Sequence, residues 1–203
     1  MTPSFTKAFG ENPKAFSNTI YALCDFETLQ KKSISLEEFV KLAKKHQVKL
    51  VQYRDKVSIL EKQEQNLKYL KEQLQIPLII NDKVELIDYA DGLHVGQDDL
   101  EKINTNKQFA IKLLRKKIGN KLLGLSTHNE IEILEANELD LDMIGLGAYR
   151  STATKDVDSL LGEKLAYLAR ISKHPVCAIG GVKKSDYIEN VTFKVIGSDL
   201  YVD

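Results

Sequence analysis

The chain's 203 residues include 29 Lys+Arg against 29 Asp+Glu, and its 43 % hydrophobic and 29 % charged content is the balance of a folded globular protein. That length suits one domain, residues 1–203, with a sizeable core and residues 1–18 as an N-terminal extension. Zero formal charge removes the footprint of a protein that grips a long nucleic acid or an acidic membrane, so an anionic partner must be small and held locally.

The first eighteen residues alternate polar and aromatic side chains and lack the continuous apolar stretch of a secretory signal. From residue 19 onward, short apolar runs alternate with longer amphipathic, charged stretches. The runs cover 19–24, 49–53, 77–81, 92–96, 121–126, 143–147, 175–180 and 193–197, eight candidate strands. They are continuous more than alternating, as parallel strands buried on both faces are. Between them, Ser35 and Glu38 open a helix with a capping box and put Leu36, Phe39, Val40 and Ala43 on one face. Residues 58–75 carry Leu60, Leu67, Leu70 and Leu74 in a charged background, and 129–139 and 158–171 behave similarly, with Asp158 as the N-cap of the last. The interval 100–120 is long and basic and reads as a solvated helix with an inserted turn.

Eight strands alternating with helices predict an α/β fold, a (β/α)8 TIM barrel, because right-handed crossovers close such units into a ring. The chain stops a few residues past the eighth strand, so the expected barrel lacks a full eighth outer helix, and the first eighteen residues are the segment available to cover the gap. An edge left uncovered would favour a homo-oligomer. Cys24 and Cys177 lie inside apolar runs without Cys-x-x-Cys spacing and read as small buried hydrophobes in a reducing, cytoplasmic setting.

In such a barrel the chemistry sits where strands end. Arg54, Lys56 and Lys155 are cations on different loops, suited to a diphosphate. Asp82 and Asp99 stand at neighbouring strand ends, where paired carboxylates hold Mg2+ against phosphate oxygens; Asp82 also reads as the cap of a following helix. Thr152, Thr154, Gly181 and the Gly197-Ser198 pair offer hydroxyls and backbone N–H groups to a second phosphate. His94 and His128 read equally as structural imidazoles. Two anion sites, one with a metal, imply a reaction that joins two phosphorylated small molecules.

Six motifs carry a further resemblance. They are Gln52-Tyr-Arg-Asp-Lys56, Asn81-Asp82, Gly92-Leu-His-Val-Gly-Gln-Asp-Asp-Leu100, Gly124-Leu-Ser-Thr-His128, Gly147-Ala-Tyr-Arg-Ser-Thr-Ala-Thr-Lys155 and Ala178-Ile-Gly-Gly181. In this order they resemble the thiamine-phosphate synthase and thiazole tautomerase family over residues 19–200. The resemblance implies transfer of a pyrimidinylmethyl group from 4-amino-2-methyl-5-hydroxymethylpyrimidine diphosphate to the nitrogen of 4-methyl-5-(2-phosphoethyl)thiazole, with release of pyrophosphate. It implies Mg2+ on Asp82 and Asp99. Gln52, Arg54, Lys56, Asn81, Ser126 and Lys155 would hold the pyrimidine diphosphate, with Arg54, Lys56, Ser126 and Lys155 as the catalytic residues. Thr152, Thr154, Gly180, Gly181, Ile196, Gly197 and Ser198 would place the thiazole phosphate. Asp55 stands where the family has Glu, Ala148 to Ser151 replace a proline-bearing stretch, and Arg150 adds a cation near the expected site. The alternatives are a metal-independent tautomerase using His128, and a paralogue that binds such phosphates without turnover.

Overall fold

The computed structural model describes residues 2–151 and 160–202. All eight expected strands form: β1 (Thr19–Asp25), β2 (Leu50–Arg54), β3 (Leu78–Asn81), β4 (Gly92–Val95), β5 (Leu122–Thr127), β6 (Met143–Leu146), β7 (Val176–Ala178) and β8 (Phe193–Ile196). Each runs parallel to the next in chain order, and β8 pairs with β1 to close the barrel. Side chains alternate between two apolar layers. Leu50, Ile79, Leu122, Met143, Cys177 and Phe193 cluster inside the barrel, while Val51, Ile80, Leu93, Leu123 and Ile144 belong to the larger cluster under the helices.

The α-helices are α1 (Pro3–Phe9), α2 (Phe26–Lys31), α3 (Leu36–Lys45), α4 (Leu60–Leu74), α5 (Gln97–Ile103), α6 (Lys107–Ile118), α7 (Glu130–Ala136) and α8 (Lys164–Ile171). The capping box of α3 forms as expected: Glu38 N–H donates to Ser35 Oγ at 3.1 Å, and Ser35 N–H donates to the Glu38 carboxylate at 2.8 Å. Asp158, expected to cap the last helix, lies outside the described residues. The basic interval does split into two helices, α5 and α6, but several of its cations, and the adjoining Lys121, are tied down. Lys107 pairs with Glu135 at 2.6 Å, and Arg115 spans Asp142 at 2.8 Å and the Lys121 carbonyl at 2.8 Å. Lys121 donates to the carbonyls of Ile87 and Ala90 at 2.6 and 2.8 Å.

The outer ring departs from the expected one-helix deficit. The crossover after β3 is a 3-10 helix, Val84–Tyr89, and β7 reaches β8 with no helix at all. The latter connection is pinned instead by Lys194 on β8, 7 % exposed, whose Nζ donates to the carbonyls of Lys184 and Asp186 at 2.5 and 2.8 Å. Val182, Ile188 and Val191 of the same connection fill the space a helix would occupy. After β8 the described chain forms a 3-10 helix, Ser198–Tyr201, in contact with α3.

The N-terminal segment does not cover that outer region either. Phe5 and Phe9 of α1 pack on Phe193 and Tyr21 at the strand starts, with Phe5 and Phe9 ring centroids 4.8 Å apart. Thr2 caps α1 through its own side chain and hydrogen-bonds Asp142, just ahead of β6. The helix is thus a plug in the N-terminal mouth of the barrel, which leaves the opposite mouth open. Among the described residues no helix is long and apolar enough to cross a membrane.

Candidate functional site

Along β2 to β5 the inward-facing positions become polar toward the C-terminal end, whereas on β7 and β8 they stay apolar or end in glycine. Leu50 gives way to Gln52 and Arg54, Ile79 to Asn81, Gly92 to His94, and Leu122 to Gly124 and Ser126. The result is a cavity of about 350 Å³ with an apolar floor of Leu23, Cys177 and Val195 and a polar rim. Gln52, Arg54, Lys56, Asn81, Asp82, Asp99, Ser126, Gly180, Gly181, Gly197 and Ser198 all line it, as does His128. Thr152, Thr154 and Lys155 lie outside the described residues; Ser151, the last described residue before them, stands on the cavity wall.

One expected contact is corrected. Ile196 is wholly buried in the outer apolar cluster, paired with Ala22, and does not line the cavity. Adjacent strand residues face opposite sides, so Val195 and Gly197 take the inner positions. Arg150 is corrected as well. Its guanidinium forms a fork on Asp186 at 2.6 and 3.1 Å and lies over the Tyr149 ring, so it joins the β6 and β7 loops and adds no cation to the cavity. Gly180 and Gly181 have φ of 88° and 64°, and a Cβ on either would strike Ala148 or Arg150 at 2.5 or 2.8 Å. Their glycine identity therefore follows from the close approach of the β6 loop as much as from any ligand.

Arg54 is held from behind. Asp25, 3 % exposed, caps α2 by accepting from Thr28 N at 2.9 Å and Thr28 Oγ1 at 2.6 Å, and its second oxygen accepts from Arg54 Nη1. The Asp25-x-x-Thr28 spacing is an N-cap signal, but the link to Arg54 is a contact between strands that only the barrel makes. Asp55 likewise points away from the cavity. It accepts from Tyr53 Oη at 2.7 Å and from the N–H groups of Val57 and Ser58 at 2.9 Å, shaping the loop that carries Lys56. Gln52 donates to Tyr21 Oη at 2.8 Å, a second such support that joins neighbouring strands and so leaves no local sequence signal.

Asp82 does not cap the following helix. It sits at φ 60°, its side chain accepts from Asn81, and it faces Asp99, Lys56 and Arg54. Burial and the neighbouring Asp99 charge push its carboxyl above the usual range, against the pull of Lys56, Asn81 and Arg54. Asp99 also accepts from Lys102 at 2.9 Å. His94 is 8 % exposed, and burial pushes its imidazole down to about 4. His128 is committed in part to Glu132, with Nδ1 2.9 Å from Oε2.

Among the described residues the cavity offers Arg54 and Lys56 beside Asp82 and Asp99, together with glycine-rich turns, a combination suited to phosphorylated ligands. A family profile described as thiamine monophosphate synthase matches residues 20–197. A thiamine-phosphate synthase of Ruminiclostridium cellulolyticum is 35 % identical over 178 residues, covering 84 % of this chain and 80 % of its own. One from Clostridium acetobutylicum is 36 % identical over 175 residues, covering 82 % and 77 %. Thiamine phosphate pyrophosphorylase from Pyrococcus furiosus superposes with a TM-score of 0.70 over 92 % of this chain and 88 % of its own, and at 20 % identity it supports the fold alone. With the profile spanning the barrel from β1 to β8 and such relatives over most of its length, the chain belongs to the thiamine monophosphate synthase family.

Proposed function

We propose that this protein is a thiamine-phosphate synthase that joins the pyrimidine diphosphate to the thiazole phosphate at the open mouth of the barrel. The observation that carries the reading is the division of one cavity into a charged half, with Arg54, Lys56, Asp82 and Asp99, and a turn-rich half, with Gly180, Gly181, Gly197 and Ser198. The C–O bond between the pyrimidine methylene and the diphosphate breaks, the bonding pair leaves with pyrophosphate, and the thiazole nitrogen lone pair forms the new C–N bond. A ring nitrogen lone pair needs no strong general base, so orientation and charge compensation are the site's main contributions.

Among the described residues no three His, Cys, Asp or Glu form a metal cage. Asp82 and Asp99 would suit Mg2+ nonetheless, since that ion is held by one or two protein carboxylates beside substrate phosphate and needs no all-protein cage. The like-charge burden on Asp82, half-buried beside Asp99, is what a divalent cation relieves. Bound there, Mg2+ would supply Lewis acidity to the diphosphate. Arg54 and Lys56 neutralise the charge gathering on the leaving group, Gln52 and Asn81 orient the pyrimidine diphosphate, and Ser126 hydrogen-bonds it. By their place in the motif, Lys155 joins the first group, and Thr152 and Thr154 join the glycine turns around the thiazole phosphate. Free, buried Cys24 and Cys177 suit a reducing cytoplasm.

Purified protein given both substrates and Mg2+ is expected to form thiamine phosphate, and Asp82→Asn or EDTA to abolish it. Absence of product from a folded sample overturns the reading, and product that persists without Mg2+ overturns the metal assignment. The tautomerase alternative leaves Asp82, Asp99 and Lys56 without a task; isomerisation of the thiazole lost in His128→Ala would support it.

A further inference from the structure

Two side chains of the 92–100 motif have no part in the mechanism above, and both converge on Ser126. Gln97, at the start of α5, donates from Nε2 to the Ser126 carbonyl at 2.6 Å. His94 projects from β4 into the barrel with Nε2 3.0 Å from Ser126 Oγ, while its Nδ1 is buried without a hydrogen-bond partner. The walls are cut away to admit the ring: a Cβ on Gly124 would lie 2.4 Å from Nδ1, and one on Gly145 would lie 3.1 Å from Cε1.

The Gly124 contact determines where the imidazole hydrogen sits. The would-be Cβ is nearly equidistant from Cγ and Cε1, at 3.3 and 3.2 Å, so it lies on the side to which Nδ1 directs either a lone pair or a hydrogen. A hydrogen there would press on the glycine's own Cα–H and be a buried donor with no acceptor, whereas a lone pair meets that C–H as a weak acceptor. The hydrogen therefore belongs on Nε2, and the serine oxygen accepts it. The hydroxyl hydrogen of Ser126 is then free for the cavity that Ser126 lines.

We propose that His94 is a positioning residue: by donating from Nε2 to Ser126 Oγ it turns the serine hydroxyl hydrogen toward an anionic oxygen of the bound diphosphate, while Gln97 holds the serine backbone. The identity of that oxygen rests on the synthase reading; the placement of the hydrogen does not.

Nitrogen-15 NMR of His94 in the wild-type protein is expected to show Nε2 protonated and Nδ1 bare, and an Nδ1–H form overturns the proposal. In kinetics, His94→Leu should lower kcat/KM for the pyrimidine diphosphate by about 10- to 100-fold, the loss of one hydrogen bond to a charged group. The KM for the thiazole phosphate should hold. His94→Gln, which keeps a donor, should recover most of the loss. On a Ser126→Ala background His94→Leu should cost nothing further, and a full additional loss there overturns the proposal. Should His94→Leu fail to fold, the Gln variant and the NMR spectrum decide. A wild-type protein that forms no thiamine phosphate refutes the synthase reading, and the NMR result still decides where the hydrogen sits.

Discussion

Asp25→Asn should free Arg54 from its anchor without unseating α2. One oxygen of Asp25 accepts from Thr28 N and Oγ1, and the other accepts from Arg54 Nη1. Asn caps helices about as well as Asp, so the first set survives with its remaining oxygen. The new amide group instead presents donors to a guanidinium that has only donors. Breaking a fully buried pair costs about 3–5 kcal/mol and an exposed one about 0–1 kcal/mol. With side-chain exposures of 4 % for Asp25 and 19 % for Arg54, this pair lies between those limits. The expected loss is about 1–3 kcal/mol, read as a lower urea midpoint at unchanged slope. Arg54 should also swing off the diphosphate, raising KM for that substrate by about tenfold. Asp25→Ala, which loses the cap too, should cost about 1 kcal/mol more. An Asn variant within about 0.5 kcal/mol of wild type, with unchanged KM, would refute the claim that Asp25 positions Arg54.

Two further predictions concern other parts of the molecule. Phe5→Ala removes a fully buried ring from the plug and should cost about 3–5 kcal/mol in urea unfolding while leaving both substrate KM values unchanged; a loss under about 1 kcal/mol would mean that α1 is not part of the core. Burial would raise the Asp55 carboxyl, but the N–H groups of Ser58 and Val57 and the Tyr53 hydroxyl outweigh it and hold it below the usual range. Its folded pKa is thus below its unfolded one, so its contribution is complete above the ordinary Asp value of about 4 and is lost as pH falls through the folded value. Asp55→Asn should flatten the acid limb of the stability curve, and an unchanged limb would count against the assignment.

The sequence alone determined the number and order of strands and the mouth at which the chemistry gathers. Parallel strands covered on both faces are apolar along most of their length, and several of these runs turn polar at the C-terminal end, as 77–81 does at Asn81 and 121–126 at Ser126, so both properties are written locally. Whether Val195, Ile196 or Gly197 faces the cavity was a matter of parity that strand register with β1 decides, and a one-residue ambiguity exchanges the faces. The plug at Pro3–Phe9 was equally unreadable, because the partners of Phe5 and Phe9 include Phe193, at the other end of the chain. The ties of Arg54 to Asp25, Arg150 to Asp186 and His94 to Ser126 belong to the same class. Each joins residues on different strands or their loops, and only closure of the barrel brings them within bonding distance. Local periodicity thus specifies which segments become walls, while the direction in which a charged side chain is turned depends on partners that only the assembled barrel supplies.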